Sequence, residues 1–379
     1  MRRLVFMFVI TLVITSCSNT RNIKFEEEVI RNGKIVKEVV DIDFVTYEGG
    51  IESQFLNNIT CTQLNGLNFR GGTLNGVEMI DKVVPYDLLA KDIKPGTPTY
   101  YTMVTAYHFI KASRYYAKLI SDFQTIDHKK YKWDKDIHVS IAENMPMANN
   151  NSRFIFSKKL PVSPSSIYHK VGHRFEKYLK QSNNIVYKQN RYIGIGMMEY
   201  FTCSLNNSPK IFEGTMPEIM VRDISKNYLF PIDSDKCSLY TGIMYLKTAY
   251  SDVYNDENSS MRKYIDIVLK SEKALKNNID THSAACYISH PLWSIRESIG
   301  AEKADKLIMH AWILLGKECS VNSTFYTPSK GEKTRENIEW YTVLHALTTA
   351  DKMDNQGKNI ELIRSCFATS NLPVGKVAK

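Results

Sequence analysis

The stretch 166-SIYHKVGHRFEKYL-179 places two histidines, His169 and His173, four residues apart. On a helix that spacing sets two imidazoles about 40° apart around the axis, so both can reach one point. Two neutral imidazoles at i and i+4 are half of a zinc site. Zinc chemistry also needs a third ligand and a carboxylate base. The residue after His169 is Lys170, and an ammonium has no lone pair with which to take a proton. Glu176 adjoins the pair on the same face. It could serve as a third donor, or simply make an i, i+3 contact with His173.

The elements that must hold these side chains are legible around them. Ser163-Pro164 opens a helix, with Ser as cap and Pro in the first turn. Along it Ile167, Tyr168, Val171, Phe175, Tyr178 and Leu179 share one apolar face, with the histidines at its edge. A second helix is predicted over 194–205, GIGMMEYFTCSL, carrying Glu199 and Cys203. Upstream, residues 100–120 have helical periodicity with Tyr100, Tyr101, Tyr107, Tyr115 and Tyr116 as core. Ile137, Val139 and Ile141 alternate as a strand, and 153–157 is a second strand. Helices follow over 239–254, 261–276, 291–299 (ending at Gly300), 301–315 (ending at Gly316), 333–352 and 357–369. Asn32-Gly33 between apolar runs marks a hairpin. Ser289-His290-Pro291 reads either as a helix start or as the position of a catalytic histidine.

In order and spacing these features resemble the thermolysin-like zinc metalloproteases, the gluzincins. Their first active helix reads His-Glu-x-x-His, and their second reads Glu-Gly-x-Ala-Asp-Tyr-Phe. Here the first motif is His169-Lys170-Val171-Gly172-His173. The second aligns as Ile195-Gly196-Met197-Met198-Glu199-Tyr200-Phe201. The segment HPLWSIRESIG at 290–300 and the ending IRSCFATSNLPV at 363–374 resemble later parts of bacterial members. The resemblance covers about residues 98–374. It implies that His169 and His173 stand at zinc-ligand positions and Ile195 at the place of the third ligand. Glu199 stands where a carboxylate orients a histidine, and Lys170 at the place of the general base. His290 is the candidate for the family's transition-state histidine. A Lys⁺ about 5 Å from Zn²⁺ would be repelled by at most about 6–7 kcal/mol at an effective dielectric near 20. The site is therefore expected to be a relic, with no catalytic residue and no cofactor. The alternative is a zinc peptidase with unconventional ligands, His169 and His173 plus Glu199 or Glu176.

The first residues bear on location. Arg2 and Arg3, a short apolar run and Ile14-Thr15-Ser16-Cys17 read as an export signal, too short to span a membrane as a helix. The residues before Cys17 resemble the lipobox of bacterial lipoproteins, which implies a lipidated Cys17 and a membrane partner through it. Ser18-Asn19 favours the outer membrane by the same analogy. The net charge of +9 is spread among acids without a basic block, which speaks against a nucleic-acid partner. Six further cysteines, Cys61, Cys203, Cys237, Cys286, Cys319 and Cys366, allow about 15 disulfide pairings.

The expected architecture is an α+β, thermolysin-like fold. Residues 1–16 are a signal and 17–44 a tether with a hairpin. Residues 45–97 are a β-rich region ending at Lys94-Pro95-Gly96-Thr97-Pro98. Residues 98–210 carry the degenerate zinc helix, and 211–379 are helical. The expected function is that of an exported, lipid-anchored pseudo-protease whose cleft binds a peptide, a protein or an envelope component. A purely structural envelope lipoprotein is the remaining alternative.

Overall fold

The computed structural model describes residues 20–372, apart from 32–33, 49–53, 70–76, 124–134, 143–152, 159–161, 184–190, 215–220, 230–231, 233–235, 277–279, 319–334 and positions 47, 122, 250 and 258. Cys17, Cys319 and the Asn32-Gly33 turn therefore lie outside the described residues. Within them the fold is mixed α+β. A long hairpin pairs β1 (Thr20–Arg31) antiparallel with β2 (Lys34–Thr46). The expected tether is thus already strand from Thr20. Its period-two pattern turns Ile23, Phe25 and Val29 inward. Glu27 falls on the same buried face, which forces it to find a partner there.

Four strands form the central sheet, in the order β4-β3-β5-β6. They are β3 (Asn58–Phe69), β4 (Val77–Val83), β5 (Asp136–Ala142) and β6 (Arg153–Ser157). β3 runs antiparallel to β4 and parallel to β5, and β5 runs parallel to β6. So the 45–97 and 98–210 stretches share one sheet. The buried side chains of α1 (Pro98–Ser121), Phe109 and Tyr116 among them, belong to the same hydrophobic core as Ile137 and Val139 of β5.

Three helices carry the candidate site: α2 (Pro164–Asn183), α3 (Arg191–Asn206) and, after the short strands β7 (Lys210–Ile211) and β8 (Arg222–Asp223) and helices α4–α7 (Leu239–Ala249, Ser251–Asn255, Ser260–Leu269 and Glu272–Lys276), α8 (Thr281–Ile299). Two glycines let these three helices close on one another. A Cβ on Gly172 of α2 would lie 2.4 Å from Met198 Cγ of α3. A Cβ on Gly196 of α3 would lie 2.4 Å from Ile288 Cβ of α8 and 2.9 Å from the Ala285 carbonyl. The closing helices are α9 (Ala301–Glu318), α10 (Arg335–Asn355) and α11 (Ile360–Ala368). Gly300 ends α8 as expected, with φ 85° and its N–H donating to Arg296 O. Helix α9 runs through Gly316 to Glu318.

The start of α8 differs most from the sequence expectation. The helix begins ten residues before Pro291, which lies inside it. Asp280 caps it, accepting from His282 N at 3.2 Å and Ser283 N at 3.1 Å. A proline inside a helix costs about 3 kcal/mol. Here the surrounding residues 284–293 are all buried, so packing outweighs the local preference.

Candidate functional site

Helix α2 begins at Pro164 as expected. The Ser165 hydroxyl accepts from Phe212 N at 3.0 Å, tying the loop after β7 to the helix. Phe212 has φ +66°, a strained backbone for a bulky residue. Its ring lies 5.2 Å from that of His169, and the Arg222 guanidinium stacks on it at 4.9 Å.

The α2 register sets His169 and His173 with ring centroids 4.8 Å apart and planes at 86°. A third histidine joins them. His282, in the first turn of α8, lies 5.3 Å from His169 and 5.6 Å from His173. One ring nitrogen of each lies within 4.8 Å of the other two, the only such group of three potential ligands among the described residues. His169 is buried, whereas His173 and His282 keep side-chain exposures of 28% and 32%. The cluster is thus closed behind His169 and open beside the other two.

Two carboxylates back the open rings. Glu199 Oε1 lies 3.6 Å from His282 Nδ1, and Glu176 Oε2 lies 3.6 Å from His173 Nδ1. Glu199 is fully buried and forms an ion pair with Arg222 at 2.8 Å, close but not aligned as a hydrogen bond. Glu176 makes the i, i+3 contact with His173 that its spacing implies. Neither carboxylate belongs to the ligand-distance group. Burial, then His173, pushes His169 well below the usual histidine range, so it is neutral at pH 7. The Nδ1 atoms of His169 and His282 are buried without a hydrogen-bond partner.

Lys170 does not point between the imidazoles. Its amine lies 5.0 Å above the Phe154 ring of β6, on the side of α2 that also carries Arg174. Burial, then the Arg174 charge, lowers its pKa to about 6. A neutral amine removes most of the repulsion a lysine beside a metal would exert, and it carries a lone pair.

The remaining sequence candidates are placed as follows. Ile195 is fully buried in the main core, an apolar residue in an apolar setting. His290 lies eight residues along α8 from His282, about 12 Å by helical rise. Its Nδ1 is bonded to the Ile224 carbonyl at 3.0 Å, and it is not one of the three gathered histidines. Cys61, Cys203, Cys286 and Cys366 are buried free thiols, and Cys237 is buried too. His282 is the residue that sequence reasoning missed. Asp280-Thr281-His282-Ser283 does carry an N-cap signal, an Asp followed by a helix start. Pro291 overshadowed it.

Comparison with protein-family models, and with curated proteins, finds no match to this chain.

Proposed function

We propose that this chain is an exported, lipid-anchored envelope protein built on a thermolysin-like frame that no longer cleaves peptides. The observation that carries this reading is the residue after His169. A buried lysine, turned to Phe154, stands where the resemblance expects a carboxylate base. Without that carboxylate, and with the lysine amine over Phe154 rather than between the imidazoles, the step that takes a proton from attacking water has no agent. The apolar, buried Ile195 supports the same reading, because it offers no oxygen at the third-ligand position. Glu199 is held by Arg222 rather than freed for ligation. The open side of the cluster, beside His173 and His282, would then bind a peptide or an envelope component without cutting it. Cys17 would anchor the chain.

The test is an incubation of the full chain with an unfolded protein substrate and zinc, with and without chelator. No cleavage above the zinc-only blank is expected. Chelator-sensitive cleavage that disappears in His169→Ala overturns the reading.

A further inference from the structure

We propose that His169, His173 and His282 together hold a divalent transition-metal ion of the zinc class, with the α8 histidine supplying the ligand that α3 lacks. The inference does not depend on the lipid anchor or on whether peptides are cut. It rests on the geometry of three side chains and the two carboxylates behind them.

Three imidazoles plus one open position is an established zinc arrangement. Zn–N bonds of about 2.0–2.1 Å in a tetrahedron put ligand nitrogens about 3.3 Å apart. The nitrogens here lie within 4.8 Å of one another. Closing the difference needs adjustments of χ1 and χ2, the second a soft torsion in histidine. His173 and His282 are the partly exposed rings, so the two that must turn are the two with room. His169 is the fixed wall, buried and held edge-on by Phe212.

The surroundings select the ligand atoms. Metal-binding histidines commonly donate their other ring N–H to a carboxylate, which fixes tautomer and orientation. His282 Nδ1 faces Glu199 and His173 Nδ1 faces Glu176, each at 3.6 Å. Ligation through Nε2 would keep both of these contacts. Arg222 holds Glu199 in place. Glu199 is thus a positioning residue for His282. The ligands are neutral nitrogen donors, which suit zinc, cobalt and nickel and disfavour calcium and magnesium. The third donor lies more than 100 positions along the sequence from the other two. Asp280 fixes one end of this arrangement by capping α8 and setting His282 in its first turn.

The full chain, stripped with chelator and titrated with Zn²⁺ and with Co²⁺ as a spectroscopic stand-in, tests this. One metal per chain is expected by elemental analysis, with the intense visible absorption of four-coordinate cobalt. Loss of an outer carboxylate weakens metal sites about 10–100-fold. Glu199→Gln should therefore weaken binding by that much, and His282→Ala by more than about 100-fold. His282 is a partly exposed first-turn residue, so its alanine variant should keep the parent's circular dichroism and melting profile. Unchanged affinity in His282→Ala overturns the proposal, as does the absence of stoichiometric zinc. Retained binding in His282→Ala that is abolished in Glu199→Gln would also overturn it, by assigning the third ligand to Glu199. Calcium binding in place of zinc would do so as well.

Discussion

Lys170 at the residue scale is an ionisable group held where its charge is disfavoured. Its folded pKa of about 6 lies below the usual lysine value, so the unfolded chain binds more protons between about pH 6 and pH 10. Stability must therefore rise with pH across that window, by about 1.4 kcal/mol per unit from this group. Lys170→Met should flatten the slope and raise stability at pH 7 by a few kcal/mol, checked by urea unfolding at several pH values. An unchanged slope would mean that the amine reaches water. Ile195 makes the complementary point. Ile195→Glu would bury a carboxyl in a filled apolar core and should cost about 3 kcal/mol or more in chelator. A zinc-dependent rise in Tm for that variant, larger than the parent's, would reveal that position 195 can still reach the ion.

Helix contacts decide whether the three histidines meet. Gly172 and Gly196 let α3 approach both α2 and α8 more closely than any Cβ allows. Gly196→Ala must push against Ile288 and the Ala285 backbone, so about 1–3 kcal/mol of destabilisation is expected. Because the same contact sets the distance from α3 to His282, metal affinity should fall with it. Chemical denaturation and a zinc titration on one sample would separate the two effects. The Asp280 cap belongs to this scale also. Asp280→Ala should cost about 1 kcal/mol and loosen the first turn of α8, read by amide exchange at Ser283 and its neighbours.

The N-terminal hairpin matters at the scale of the whole molecule. Glu27, on its inward face, meets His108 Nε2 of α1 at 2.7 Å, and His108 Nδ1 meets the Tyr168 hydroxyl at 2.7 Å. All three are buried, so this chain of bonds fastens the hairpin to the helix layer directly beside His169. Glu27→Ala leaves His108 Nε2 without its buried partner and should destabilise by about 1–3 kcal/mol, with the earliest loss of amide protection in β1 and β2. Among the described residues no helix is long and apolar enough to cross a membrane.

Periodicity alone located most of the elements. Helices α1, α2 and α3 and strands β5 and β6 fall where apolar spacing and the Ser163-Pro164 start put them, because those signals are local and unopposed. The Val29–Val36 pairing follows from the Asn-Gly turn signal for the same reason. The His169/His173 pair is visible because both histidines sit on one helix. His282 is not, because no local rule ties a residue in one helix to another more than 100 positions away. Only packing does that, through glycines whose missing Cβ atoms admit a neighbouring helix. The lysine shows the same division. Its type and place in the motif were plain in the sequence, but its lowered pKa came from the burial that the tertiary structure imposed, since desolvation is a property of surroundings rather than of the residue.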